Sequence, residues 1–144
     1  MHLKNTLVLS ALLCAATGTA LAAPAPPKAQ LIDHSSGALI DAATAKAVLA
    51  DGIPARVWKV YPTSKWAFTS QVEGGITAGG TCVVTARVMM LPLTVTLKAV
   101  LYRPEKIATA FDAQPGATPE QCKDLAKAKL KQAVESVVSS LVKS

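Results

Sequence analysis

Cys82 and Cys122 are the residues whose type and position suggest a definite chemistry. The third cysteine, Cys14, lies in a segment that we expect to be removed from the mature protein. Because two cysteines in an oxidising compartment have one intramolecular pairing, the sequence predicts a Cys82–Cys122 disulfide. A redox-active or metal-binding pair is disfavoured, since the spacing is not Cys-x-x-Cys and the mature chain keeps one histidine, His34.

Asp33, His34 and Ser35 are the residue types of a hydrolytic triad. Sequence neighbours do not meet in that geometry, because a triad is assembled from separate segments of the fold. Glu73 and Glu105 are the carboxylates on or near predicted strands, and nothing in the sequence pairs them across a cleft. We therefore expect no catalytic residue, no metal site, no cofactor and no enzymatic activity.

A glycine-rich run extends from Gly74 to Gly80. It lacks the Gly-Lys-Ser/Thr ending of a phosphate-binding loop and does not open a helix. The composition is typical of a mobile hairpin loop, which would contact a partner rather than a phosphate.

Aromatic and cationic residues are concentrated in a predicted hairpin spanning 56–73. Side by side, such residues can bind a glycan, a lipid headgroup or a protein loop. The alternative is that the large aromatics, Trp66 and Phe68 among them, belong to the core. The candidate surface consists of Arg56, Trp58, Lys59, Tyr61 and Lys65.

Three lysines, Lys123, Lys127 and Lys131, recur at four-residue steps in a predicted helix and share one of its faces. A solvated helix face is the first interpretation, and an anion-binding stripe is the second.

The N-terminus has the three parts of a secretory signal: Lys4, an apolar segment at 7–16, and the small-residue site Ala20-Leu21-Ala22. The apolar segment is too short to span a bilayer, which needs about 20 residues. We predict cleavage after Ala22 and a periplasmic or secreted mature protein. Lipid attachment at Cys14 is the alternative, but a leucine precedes it where a small residue is needed.

The domain organisation predicted is a signal peptide at 1–22, a Pro/Ala-rich flexible leader at 23–37 and a single domain at 38–144. Loss of Lys4 lowers the formal charge from +6 to +5, which is not the dense basic stripe of a nucleic-acid-binding protein. No second apolar stretch of about 20 residues follows, so we expect no transmembrane segment in the mature form.

The spacing of apolar residues and the helix-capping residues predict the secondary structure. A short helix is predicted at 42–50 with Asp41 as its cap, and a longer one after Thr118, where Pro119 and Gln121 complete a capping box. Alternation with a period of two predicts strands at 56–61, 65–73, 81–90, 93–102 and, more weakly, 106–112.

Cys82 falls on the apolar face of its strand and Cys122 on the apolar stripe of its helix, so one disulfide can join the two buried faces. The predicted fold is an α+β two-layer domain. It has an antiparallel sheet of four to five strands, a long C-terminal helix packed on one face and a short N-terminal helix.

Three functions are compatible with this sequence. The first is an exported, non-enzymatic module that binds a protein partner, as an inhibitor or chaperone. The second is a cationic envelope-associated protein that binds anionic lipid or polysaccharide through the aromatic hairpin and the lysines. The third is a small hydrolase with an unrecognised site. An apolar patch with a polar rim would favour the first, a continuous basic face the second, and a deep cleft with convergent polar groups the third.

Overall fold

The computed structural model describes residues 30–94 and 103–142. In this part of the chain a four-stranded sheet has the order β1-β2-β3-β4, and the helices lie on one side of it. The elements are β1 (Leu31–Asp33), α1 (Ala42–Gly52), α2 (Ala55–Val60), β2 (Trp66–Ile76), β3 (Thr81–Pro92), β4 (Lys106–Pro115) and α3 (Pro119–Leu141).

Helix α3 begins where the sequence predicts. Thr118 is its N-cap, and the Thr118 hydroxyl accepts a hydrogen bond from the backbone N–H of Gln121 at 3.2 Å. The Gln121 side chain accepts in return from the N–H of Thr118 at 2.8 Å, so the predicted capping box is confirmed. The stripe that packs on the sheet consists of Cys122, Ala126, Leu130, Ala133, Val134, Val137 and Val138.

The predicted disulfide is present between Cys82 of β3 and Cys122 of α3, with a Cα–Cα distance of 5.6 Å. Both residues are buried, and the bond joins the covered side of the sheet to the buried stripe of the helix. The alternation of β3 is also confirmed, because its core-facing residues Cys82, Val84, Ala86, Val88 and Met90 are fully buried. These findings establish the predicted α+β, two-layer architecture.

The aromatic segment 56–61 was predicted as a strand, and this is wrong. Residues Ala55–Val60 form α2, with Pro54 as the N-cap. A six-residue segment is too short for its period to separate strand from helix, and proline before it favours a helix start. The predicted turn at 62–64 therefore joins a helix, rather than a strand, to β2.

The ordered sheet begins earlier than the predicted domain boundary, inside the predicted leader 23–37. Leu31–Asp33 form β1, which pairs with β2 in parallel, so the sheet is mixed rather than antiparallel. The Asp33 carboxylate fixes this edge because it accepts hydrogen bonds from Ser70 Oγ at 2.8 Å and Ser35 Oγ at 2.7 Å. A three-residue strand that depends on a distant partner leaves almost no local pattern in the sequence.

The last predicted strand is confirmed as β4, and it pairs with β3 in antiparallel fashion. The predicted signal peptide at 1–22 and the predicted strand at 93–102, apart from Leu93 and Thr94, lie outside the described residues. The glycine-rich run contains the end of β2 and a turn at 77–80, where the Thr77 carbonyl accepts from Gly80 N–H at 2.9 Å.

Candidate functional site

The two sides of the sheet differ because side chains in a strand alternate between faces. On one side β2, β3 and β4 contact α3. We call the opposite side the outer face, and among the described residues no helix packs on it. The strand registers align its side chains in three rows, which are Thr69–Met89–Ile107, Gln71–Arg87–Thr109 and Glu73–Thr85–Phe111.

The orientation of β4 places its large apolar side chains outward. Ala110 is buried on the side of α3, whereas Ile107 is 55% and Phe111 63% exposed on the outer face. Asp112 confirms the orientation, because its carboxylate lies 2.7 Å from the Lys129 ammonium of α3. Small residues on the helix side allow α3 to lie close to β4, so the larger side chains occupy the opposite side.

Ile107 and Phe111 form an apolar patch together with the half-buried Met89. Thr109 lies between them on the same strand, and Arg87 and Thr85 follow on β3. The patch therefore has exposed apolar side chains at its two ends and polar ones between and around them. Exposed apolar side chains among polar residues mark surfaces able to bind other molecules.

A cavity of about 580 Å³ adjoins this patch on the outer face. Its wall includes Thr69, Arg87, Met89 and Ile107. The Thr69 hydroxyl is fully buried and has no hydrogen-bond partner. A buried hydroxyl without a partner is uncommon in a folded protein.

The Asp33-His34-Ser35 segment is a structural clamp, not a triad. Ser35 Oγ donates to Asp33 and accepts from the backbone N–H of Val72 at 2.9 Å, which holds the chain after β1 against β2. His34 lines the outer-face cavity and makes no side-chain hydrogen bond to either neighbour. The three residues are therefore adjacent in sequence, but Asp33 and Ser35 hold the chain after β1 against β2, whereas His34 lines the cavity.

The aromatics of the predicted hairpin pack against the core. Trp58 meets Phe68 edge-to-face with ring centroids 5.2 Å apart, and Tyr61 meets Trp66 in the same geometry at 5.7 Å. Trp58, Tyr61 and Trp66 are half-buried, and Phe68 is fully buried. The contacts correspond to the core interpretation of these residues.

The predicted cationic residues line several hollows or are exposed, and acidic residues lie among them. Arg56 lines a hollow with Asp51 and Glu135, while Lys59 and Lys65 are exposed on α2 and just before β2. Lys123 and Lys127 share a hollow with Asp41 and Asp124, and Lys127 and Lys131 share another with Asp51 and Asp124. Carboxylates are thus interspersed with the lysine row, and they reduce its positive potential.

Two exposed carboxylates have pKa values below the ordinary value for aspartate. The hydrogen bond from Lys129 lowers the pKa of Asp112, and the backbone N–H of Ala113 adds to the effect. Hydrogen bonds from the Thr44 hydroxyl and backbone lower the pKa of Asp41, which caps α1. Both shifts have structural causes, and neither group lies in the cavity.

Glu73 and Glu105 are far apart. Glu73 lies opposite Thr85, whereas Glu105 donates its backbone N–H to the Met90 carbonyl, five residues further along β3. Five residues of strand span about 17 Å, beyond the carboxylate separations of glycoside hydrolases. Within residues 30–94 and 103–142, no group of three His, Cys, Asp or Glu side chains could hold a metal ion.

None of the helices in the described part of the chain is long and apolar enough to cross a membrane.

The residues of the outer face were not among the predicted binding residues. The alternation of 106–112 had already placed Ile107 and Phe111 on one side, but the sequence did not show which side faces the helix. Arg87 and Thr69 carried no sequence signal, because only the strand register brings them next to Ile107.

No protein-family model matches the chain, and no curated protein matches it by sequence. A solved structure from Caulobacter crescentus CB15, described as a "putative lipoprotein", resembles it with a TM-score of 0.32 and 8% sequence identity. The likeness covers 75% of this chain and 83% of that chain. At this TM-score and identity, we draw no conclusion from it about fold or function.

Proposed function

We propose that the protein is an exported, non-enzymatic binding module that engages a protein partner through the outer face of its sheet. The observation that carries this proposal is the exposure of Ile107 and Phe111 on the same face of β4, with Thr109 between them and polar residues around them. Large side chains with exposed apolar surface among polar residues can act as anchors of a protein interface.

The other two functions receive less support. A cationic surface for anionic lipid or polysaccharide needs a continuous positive face, whereas Asp41, Asp51 and Asp124 lie among the lysines of α3. A hydrolase needs a nucleophile with a base in reach, and the hydroxyl of Ser35 is engaged with a carboxylate in a structural clamp. We therefore propose that no hydrolytic turnover occurs.

Binding at an apolar patch has two natural consequences for the partner. If the patch blocks a functional site, the protein acts as an inhibitor. If it shields apolar surface that would otherwise aggregate, it acts as a chaperone. We propose no nucleic-acid partner for this protein.

Export is supported by the signal-like residues 1–22 and by the disulfide, which is typical of oxidising compartments. We expect the exported protein to begin at Ala23. Its intact mass tests this, and a lipid-modified chain beginning at Cys14, or a chain that keeps residues 1–22, would contradict the cleavage site.

A photo-crosslinking amino acid at Thr109 tests the binding face in cells of the native host. Thr109 is exposed between Ile107 and Phe111, and Gln132, exposed on α3, is the matched control position. We expect one discrete protein adduct from position 109 and none from position 132. Equal adducts at both positions, or none at either, would contradict the proposal.

A further inference from the structure

The cavity on the outer face has the size and composition of a small-molecule site. Its volume of about 580 Å³ lies within the ~300–1,000 Å³ range of ligand pockets. Met89, Leu91, Pro104 and Ile107 supply an apolar wall. Leu91 is buried, while Ile107 is exposed at the border with the apolar patch, so the apolar wall extends from the interior to the surface.

The polar groups of the cavity are mainly hydrogen-bond donors. His34 and Arg87 supply ring and guanidinium N–H groups, whereas the unpartnered hydroxyl of Thr69 is fully buried. Within residues 30–94 and 103–142, Arg87 forms no ion pair and no side-chain hydrogen bond. The amide nitrogen of Gln71 donates one of its two N–H groups to Glu73 at 2.6 Å.

Glu73 is the acidic residue nearest to these donors on the outer face. It lines a neighbouring small hollow with Gln71, Thr85 and Arg87, but it is not part of the cavity wall. Within residues 30–94 and 103–142, Glu73 forms no ion pair with Arg87, so the guanidinium is available to an anion from solution.

We propose that this cavity binds a small anionic amphiphile, a molecule with an aliphatic or aromatic body and one carboxylate-type head. The body lies against Met89, Leu91 and Ile107. The head accepts hydrogen bonds from the guanidinium of Arg87. This site goes beyond the proposed protein-binding function, although Ile107 belongs to both.

The test is a titration of the mature, disulfide-bonded protein with octanoate, octylammonium and octanol, which share a chain length and differ in head charge. Calorimetry gives the affinities, and amide NMR shifts locate the site. We expect saturable octanoate binding that shifts the amides of Thr69, Arg87 and Met89, with octylammonium binding at least about tenfold more weakly. Equal affinity for the two ions, shifts confined to other residues, or no saturable binding would overturn the proposal.

Three variants test which side chains contribute to octanoate binding. Arg87→Gln should weaken octanoate binding roughly tenfold and leave octanol binding unchanged, while Arg56→Gln, on exposed α2, should change neither. Thr69→Val should leave octanoate binding unchanged and should not lower stability, since the hydroxyl it removes is fully buried and has no protein partner. An Arg87→Gln protein that binds octanoate as tightly as Arg56→Gln does would also overturn the proposal. These measurements involve no protein partner, so their failure is distinct from failure of the crosslinking test.

Discussion

The two faces of the sheet use apolar residues in opposite ways. On the helix side, β4 contributes the small residue Ala110, and the stability of the domain depends on packing against α3 and on the disulfide. On the outer face the same strand contributes Ile107 and Phe111, which remain largely exposed. The comparison teaches that the largest apolar residues of a strand need not face the core when a helix lies close to its other side.

The largest effect that we expect on the helix side comes from the disulfide. Replacement of both Cys82 and Cys122 by alanine should lower the free energy of unfolding by about 4 kcal/mol in the chain-entropy model, given the sequence separation of 40 residues. Urea denaturation of the variant and the oxidised wild type measures the difference. If the two proteins unfold at the same urea concentration, the bond does not hold α3 on the sheet.

Replacing a large apolar side chain by alanine should lower the free energy of unfolding by different amounts on the two faces. Leu130 of α3 is fully buried against the sheet, so Leu130→Ala should cost about 3 kcal/mol. Phe111→Ala removes a larger side chain from the outer face and should cost less than about 1 kcal/mol, because Phe111 is already mostly hydrated. Thermal and urea denaturation of both variants measure the two losses in free energy of unfolding. A greater loss from Phe111→Ala than from Leu130→Ala would show that the outer face belongs to the core.

The smallest effect concerns the ion pair between β4 and α3. The pKa of Asp112 is lowered in the folded protein, so the pair contributes stability above the ordinary aspartate value of 3.8. That contribution is lost as the pH falls below 3.8 and through the lowered pKa. We expect Asp112→Asn to destabilise the protein at pH 7, and the difference from wild type to shrink towards pH 2. A Lys129→Gln background should reduce this pH dependence, because the backbone hydrogen bond from Ala113 to Asp112 remains. A difference that stays constant with pH would contradict the assignment.

Elements with a strong local signal could be predicted from the sequence. Thr118 and Gln121 encode the start of α3, and the positions of Cys82 and Cys122 in two different periodicities encode their pairing. The short elements α2 and β1 could not be predicted, because six residues do not define a period and a three-residue strand depends on a distant partner. The residues of the outer face could not be predicted for a related reason. Alternation divides β4 into two sets of residues, but only tertiary packing decides which set meets α3.

The candidate site also depends on register rather than on any motif. Arg87, Met89 and Thr69 come from two strands and have no shared spacing in the sequence, so the cavity arises from the pairing of β2 with β3. The sequence instead predicts a binding surface of aromatic residues and lysines, because these residues are close together along the chain. In the fold Trp58 packs on the core, and the lysines alternate with carboxylates.

The central claim, that one face maintains the fold and the other binds a partner, is tested most directly by competition for the adduct formed at position 109. An excess of wild-type protein should suppress the adduct, whereas the double variant Ile107→Asp/Phe111→Asp should not. The free energy of unfolding of this variant should remain within about 1 kcal/mol of wild type, because both side chains are mostly exposed. Suppression of the adduct by the double variant as complete as that by wild type would contradict the claim.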